Sequence, residues 1–183
     1  MKKLRNSTKI LLITNSLILV SWAMLWPIYA LFVKDIWGDL MDASFAWWLF
    51  ALTAWIASLV SWKFTDSLKN QSLVLFLGYM IIWIWFFLYL AVDSILMLFF
   101  VQIIIWLWEA IYSPAFDALY SKYLHKKQSW FEWGLWESVN YFTIAIWAFT
   151  WWIIVSNFWF SIIFIIMWTL SILSWIYVFS KSD

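Results

Sequence analysis

The sequence predicts an all-α membrane protein, a single bundle of six transmembrane helices. Three observations carry this expectation. Of the 183 residues, 67% are hydrophobic and only 11% are charged, too few charges to cover a water-facing surface of ordinary composition. The apolar residues gather into six runs, about 10–33, 43–61, 72–91, 95–115, 137–155 and 160–179. A hydrocarbon core about 30 Å thick takes roughly 20 helical residues, so each run is long enough to cross it. The third observation is charge. With six spans, Lys2, Lys3, Arg5, Lys9, Lys63, Lys69, Lys122, Lys126, Lys127 and Lys181 fall on one side and only Lys34 on the other. By the positive-inside rule both termini are cytoplasmic, as expected of a chain in the bacterial cytoplasmic membrane. Moving any one span out of the scheme destroys this separation.

The elements follow in order. Residues 1–9 are basic and precede the first run, which exceeds a signal-peptide core and lacks a small-residue cleavage pattern, so it remains as span one. Asn15 and Pro27 interrupt its apolarity. Pro27 predicts a kink in the outer half. Asn15 either hydrogen-bonds a neighbouring helix or lines a solute path. Residues 34–42, with Asp35, Asp39 and Asp42, form an external loop before span two. The polar segment 62–71 joins spans two and three, a tight turn at 92–94 leads into span four, and span four has the means to run on towards Tyr123. Residues 122–134 are the second strongly polar connection, ahead of spans five and six. Spans one to three and four to six are candidates for two three-helix repeats.

Twenty tryptophans stand against three glycines, where average usage supplies roughly 13 glycines in a chain of this length. Membrane helices use more glycine than soluble ones, and tryptophan belongs at the interfaces. Here Trp22, Trp55, Trp83, Trp85, Trp106, Trp147 and Trp168 lie well inside the apolar runs. Trp22 and Trp26, and likewise Trp147 and Trp151, have the four-residue spacing of small-residue helix contacts, while Trp47–Trp48 and Trp151–Trp152 look like glycine pairs. The composition therefore predicts that most of these letters stand for glycine, encoded by UGA codons that some bacterial lineages read as glycine and a common translation table writes as tryptophan. The other reading is a tryptophan-rich bundle whose indoles keep the helices apart.

Several short patterns have a family look. Segment 62–71, WKFTDSLKNQ, resembles the signature G-x-x-x-D-[RK]-x-G-[RK]-[RK] between helices two and three of the major facilitator superfamily. Asp66 falls on the acidic position and Trp62 on the first glycine, while Lys69 stands at the second glycine and Ser67, Asn70 and Gln71 stand at basic positions. In span four, Gln102-I-I-I-Trp106-L-Trp108-E-A is similar to the family's R-x-x-x-G-x-G-x-A, with Gln102 in place of arginine. In span five, Trp147-A-F-T-Trp151-Trp152 is similar to the antiporter pattern G-P-x-x-G-G, with Ala148 in place of proline. The aromatic entry to span six, residues 158–164, has the same likeness. The resemblance covers nearly the whole chain as an N-terminal six-helix half.

This resemblance implies transport of a small solute by alternating access. It assigns a gating loop to Trp62, Asp66 and Lys69, and a helix-packing motif to Trp147, Trp151 and Trp152. Asp66 can pair with basic groups or helix ends that separate as the bundle rocks. Since the family places its solute between two such halves, the chain is expected to need a second six-helix half or to form a homodimer.

The polar residues of the spans complete the candidates. Glu109 lies inside span four, where a charge costs about 2.5–3.5 kcal/mol on insertion scales, so it must be protonated, paired or facing water. With Asn15, Tyr29, Gln102 and Asn140 it makes up the candidate solute or proton pathway, each residue having interhelical hydrogen bonding as its alternative. Asp117 and Glu137 sit nearer the cytoplasmic ends, and His125 reads as a solvated loop residue. One histidine and no cysteine give no usual zinc site, the net charge of +1 gives no basis for nucleic-acid binding, and no catalytic constellation is present, so neither an enzyme nor a cofactor is expected. The second reading of the chain is a non-transporting membrane scaffold or assembly subunit.

Overall fold

The computed structural model describes residues 4–65, 71–157 and 159–180, with the backbone alone at 61–65, 71, 148–149, 151–152 and 155–157. Every regular element among these residues is helical. Span one is α1 (Asn6–Leu25), a 3-10 turn (Trp26–Ile28) and α2 (Tyr29–Asp35). Span two is α3 (Leu40–Thr65). Span three is α4 (Gln71–Leu88) with a closing 3-10 turn (Tyr89–Ala91), and spans four, five and six are α5 (Ile95–Tyr123), α6 (Ser129–Asn157) and α7 (Phe160–Phe179).

Among the described residues, five helical segments are long and apolar enough to cross a membrane: Asn6–Asp35, Leu40–Val60, Ser72–Ala91, Ile95–Tyr123 and Phe160–Phe179. The sixth helix, α6, has 29 residues, about 44 Å at 1.5 Å rise each. Apolar side chains run around each helix because its outer face has no water to satisfy.

Pro27 acts where expected. It lacks a backbone N–H and cannot continue the α ladder, so the chain tightens into the 3-10 turn and resumes as α2. The external loop is shorter than 34–42. A reciprocal cap opens α3, with Asp39 N–H donating to Asp42 Oδ2 at 2.9 Å and Asp42 N–H donating to Asp39 Oδ1 at 2.9 Å. Each carboxylate satisfies a donor at the positive end of the helix.

Two boundaries differ from the hydropathy runs. Span five begins at Ser129 rather than 137, so most of the polar segment 122–134 is helix and the connection shrinks to 124–128. Span two likewise continues to Thr65 rather than 61. Polar side chains can leave the hydrocarbon while their backbone keeps its internal hydrogen bonds, so a helix need not end where apolarity ends.

Each span has a definite place. Span one packs against spans five and six, span four packs against spans two and three, spans three and six close the far side, and spans one and four touch at the centre. Exchanging one with four, two with five and three with six maps this set of seams onto itself. The pairing therefore has the two-fold form of a repeated three-helix unit. The junction of α2 with α3, neighbours through the short 36–39 turn, corresponds in this exchange to that of α5 with α6, where the Tyr120 hydroxyl donates to the Glu132 carbonyl. Spans one and four are inner helices. In its most apolar stretch span one is 56% buried, against 17% for the edge helix of span two.

Small hydroxyl residues make the seam between α1 and α7. Ser21 Oγ donates to the Met167 carbonyl at 3.2 Å, and Ser174 Oγ donates to the Thr14 carbonyl at 2.8 Å. The pairs 21–167 and 14–174 keep one antiparallel register. Ser21→Ala and Ser174→Ala are each expected to lower stability by about 0.6 kcal/mol, the usual worth of an interhelical hydrogen bond in a membrane. The two sites lie two turns apart, so the losses should add; unfolding in mixed micelles at graded denaturing-detergent fractions measures both.

The α4–α5 seam is closer still. A Cβ added at Gly78 would run into the Tyr112 side chain. Only glycine lets the two helices approach this near.

Trp37 is the sole residue other than glycine with positive φ among the described residues, at 68°. It sits just past α2, where its N–H donates to the Lys34 carbonyl at 3.1 Å and the Gly38 N–H donates to the Val33 carbonyl at 2.8 Å. These two bonds form a Schellman closure with Trp37 at the left-handed position that glycine normally occupies.

Candidate functional site

The polar centre of the bundle is Gln102. It lies on inner helix α5, is 5% exposed, and uses both ends of its amide. Nε2 donates to the Tyr29 hydroxyl at 2.7 Å. Oε1 accepts from the Tyr89 hydroxyl at 3.2 Å and from Trp106 Nε1 at 3.0 Å. Three spans contribute: Tyr29 begins α2 immediately after the Pro27 turn, Tyr89 ends span three, and Gln102 and Trp106 share one face of α5 at four-residue spacing. In hydrocarbon no water competes for these groups, so each must be satisfied by another.

Beside this cluster lies a narrow cleft with a free volume of about 20 Å³, walled by Trp22, Leu25, Trp26 and Tyr29 of span one, Ala46, Trp47 and Phe50 of span two, and Gln102 and Trp106 of span four. Among the described residues, no carboxylate or amine lines it. A neutral amide and a phenol among aromatic and apolar walls can orient an uncharged solute through hydrogen bonds.

Four tryptophans crowd the cleft. Trp22 and Trp106 stack at 4.7 Å between centroids, and Trp26 meets Trp47 edge-on at 5.4 Å. The Phe50 and Trp106 centroids lie only 3.6 Å apart at 40°, closer than the range of about 4.5–7 Å in which aromatic pairs are favourable. The indole N–H groups of Trp22 in the cleft, and of Trp83, Trp136, Trp168 and Trp175 elsewhere, are buried without a hydrogen-bond partner.

Of the pathway candidates, the structure brings Tyr29 and Gln102 together across 73 residues of sequence. Glu109 lies two turns further along the same face of α5 and outside the cleft, beside Tyr79 and Tyr112. Asn15 is buried on α1 and Asn140 is partly buried on α6; neither lines the cleft. In the packing motif, Trp147 is partly buried against the core, while Trp151 and Trp152 lie on α6 where the backbone alone is described. Of the gating loop, Trp62 lies on the described backbone of α3, and Asp66 and Lys69 fall outside the described residues.

Tyr89 and Trp106 are the members the sequence did not single out as solute contacts. Tyr89 reads as an interfacial aromatic at the end of a span. Its only signal was its position opposite the first turns of span four across a three-residue turn.

His125 is not simply solvated. Its Nδ1 lies 2.7 Å from Glu132 Oε1, its backbone N–H donates to Glu132 Oε2 at 3.3 Å, and Gln128 Nε2 donates to Glu132 Oε1 at 2.8 Å. Glu132 is fully buried in the first turn of α6, where the helix N-terminus also favours its charge. Tyr120 fastens α5 to the same turn by donating to the Glu132 carbonyl at 2.6 Å. Thr8 Oγ1 donates to the Tyr123 carbonyl at 3.1 Å, which brings the start of α1 to this end of the bundle. Arg5 and Lys9 therefore share one end of the bundle with Lys122, Lys126 and Lys127.

No protein-family model matches the chain, and no curated protein matches its sequence. Fold and site define the class of protein: a helical, membrane-embedded bundle with a polar centre buried between its inner helices.

Proposed function

We propose that the chain is one six-helix half of an alternating-access transporter for a small uncharged solute, similar to the major facilitator superfamily and seated in the bacterial cytoplasmic membrane. The observation that carries this reading is the Tyr29–Gln102–Tyr89 cluster beside the cleft, buried where the inner helices meet. A rigid hydrophobic bundle has no need of an amide there, whereas a solute crossing hydrocarbon needs hydrogen-bonding partners to replace its water. The self-mapping set of helix seams adds support, because transporter halves are built from repeated three-helix units around a central site. The ten-to-one division of basic residues supports cytoplasmic termini.

A single bundle would open its cleft to lipid, so a second six-helix body, either a second copy or a separate half, completes the site. The test is flux in reconstituted vesicles with a panel of labelled neutral solutes, beside a mass measurement of the solubilised protein. A saturable flux carried by a species of at least two bundles and lost in Asp66→Asn is the expected outcome. Flux from a strictly monomeric species would overturn the pairing, and no flux for any solute, with variants indistinguishable from the parent, would favour the membrane scaffold.

We further propose that most of the tryptophan letters are glycine in the cell. Supporting this are Trp37 at a glycine position, five buried indole donors without partners, and the overcrowded cleft. With glycine at 22, 26, 47 and 106 the cleft becomes a true cavity. Gln102 Oε1 then loses the indole donor and offers that bond to a donor on the solute.

A further inference from the structure

We infer that the end of the bundle where α1 begins and α5 gives way to α6 binds the phosphate of an anionic phospholipid, with Arg5 and Lys9 on one side of it and Lys122, Lys126 and Lys127 on the other. The inference rests on the membrane-embedded fold and not on transport. The Thr8 hydroxyl and the Tyr123 carbonyl that join these two groups of cations are 115 residues apart in sequence, and Thr8 is fully buried. Arg5, Lys122, Lys126 and Lys127 are exposed and Lys9 is partly buried. Among the described residues none of the five is in an ion pair. His125 and Gln128, on either side of Lys126 and Lys127, both bond the buried Glu132 carboxylate. The connection is thus tied down at both shoulders while its two lysines stay exposed, which lowers the ordering cost of binding.

The three helices that meet here do not cancel this charge. α1 contains no acid, and the acids of α5 and α6 are Glu109, Asp117, Glu132 and Glu137. Glu132 is occupied by His125 and Gln128. Asp117 lies five residues before Lys122 and Glu137 five residues after Glu132, each more than a turn further into its helix, and Glu109 lies deeper still. The side chains of Lys63, Asp66, Lys69 and Asp183 lie outside the described residues, as do Lys2, Lys3 and Lys181, and the site is drawn without them. α1 starts with no acid in its first turn and no side-chain cap, so the positive end of the helix adds to the cations. The apolar run of span one begins at 10, which puts Lys9 at the edge of the hydrocarbon and the other cations at headgroup level. There the abundant anion is lipid phosphate, and basic side chains near the surface attract anionic lipid. Beside them Phe131 of α6 is 48% exposed and offers an apolar surface to an acyl chain, which a free phosphate could not use. None of these groups is a tryptophan, so the site is independent of how those letters are decoded.

The test is native mass spectrometry of the full chain released from bilayers of phosphatidylglycerol and phosphatidylethanolamine in equal amounts. The parent protein should retain the anionic lipid at least about tenfold over the zwitterionic one, and added salt should reduce that preference. Arg5→Gln and Lys126→Gln should each lower it about fivefold, the equivalent of about 1 kcal/mol per cation. Lys126→Arg should keep it. Lys34→Gln makes the same change in net charge at the opposite end of the bundle and should leave the preference unchanged. Equal retention of the two lipids by the parent protein would overturn the site without need of any variant, and an equal loss in Lys34→Gln would reduce it to an effect of net charge. Release of the lipid by inorganic phosphate, beyond that caused by chloride at the same ionic strength, would replace the lipid by a soluble anion. Lipid selectivity without solute flux would sink the transport reading and leave the lipid site standing, and flux without selectivity would do the reverse.

Discussion

Protein purified from its native cell will yield peptides with the mass of glycine at position 37 and at positions 22, 83, 136, 168 and 175. At position 37 the backbone sits at φ 68°, where a residue with a Cβ costs about 1–2 kcal/mol and glycine costs nothing. At the other five positions an indole N–H is buried without a partner, each costing about 1–3 kcal/mol. Together these penalties approach the whole stability of an ordinary domain, about 5–15 kcal/mol.

Two synthetic genes separate the readings by sign. If tryptophan is native, truncating a core indole such as Trp22 costs about 3–5 kcal/mol, and a gene with glycine at all six positions gives no folded protein. If glycine is native, that gene gives a monodisperse membrane protein, and the tryptophan gene gives aggregate. Size-exclusion chromatography of the two products in mild detergent reads the difference directly, and UGG codons with tryptophan masses in native peptides would sink the proposal.

How much of this molecule was legible in the sequence depends on the distance over which each feature is decided. Apolar run length marks most of the long helices, since it acts on each segment alone, and five of the six expected spans are helices long and apolar enough to cross among the described residues. Helix ends were less legible. Span five starts at Ser129 because its polar first turns are held by Gln128, His125 and Tyr120, none of which changes local apolarity. Tyr29 and Gln102 were each visible as polar residues in apolar runs, but their union depends on the Pro27 turn aiming α2 towards α5. Tyr79 gave no signal, because one tyrosine in a span looks like any other until its hydroxyl is found without a partner. Glu109 was the reverse case, conspicuous as a lone carboxyl whose surroundings no sequence pattern describes.

Replacing Gln102 by leucine will remove solute flux and destabilise the bundle together. The substitution keeps the volume but strands the Tyr29 and Tyr89 hydroxyls, whose bonds of 2.7 and 3.2 Å end on that amide. Each stranded buried hydroxyl costs about 1–3 kcal/mol. Tyr29→Phe removes only one bond and leaves the amide attached to Tyr89, so its loss should be the smaller. Because both residues share one network, the double variant should lose less than the sum of the two, with a coupling of about 0.5–3 kcal/mol. Asn15→Leu, outside the cleft, should combine additively with either. The flux readout then distinguishes a solute site from mere helix glue. Tyr29→Phe in a folded protein should raise the half-saturating solute concentration by about tenfold, the value of one hydrogen bond of about 1.4 kcal/mol, while Ser174→Ala, which costs comparable stability at a seam away from the cleft, should leave that concentration unchanged. Equal effects of the two on stability and none on half-saturation would reduce the Gln102 cluster to a structural brace.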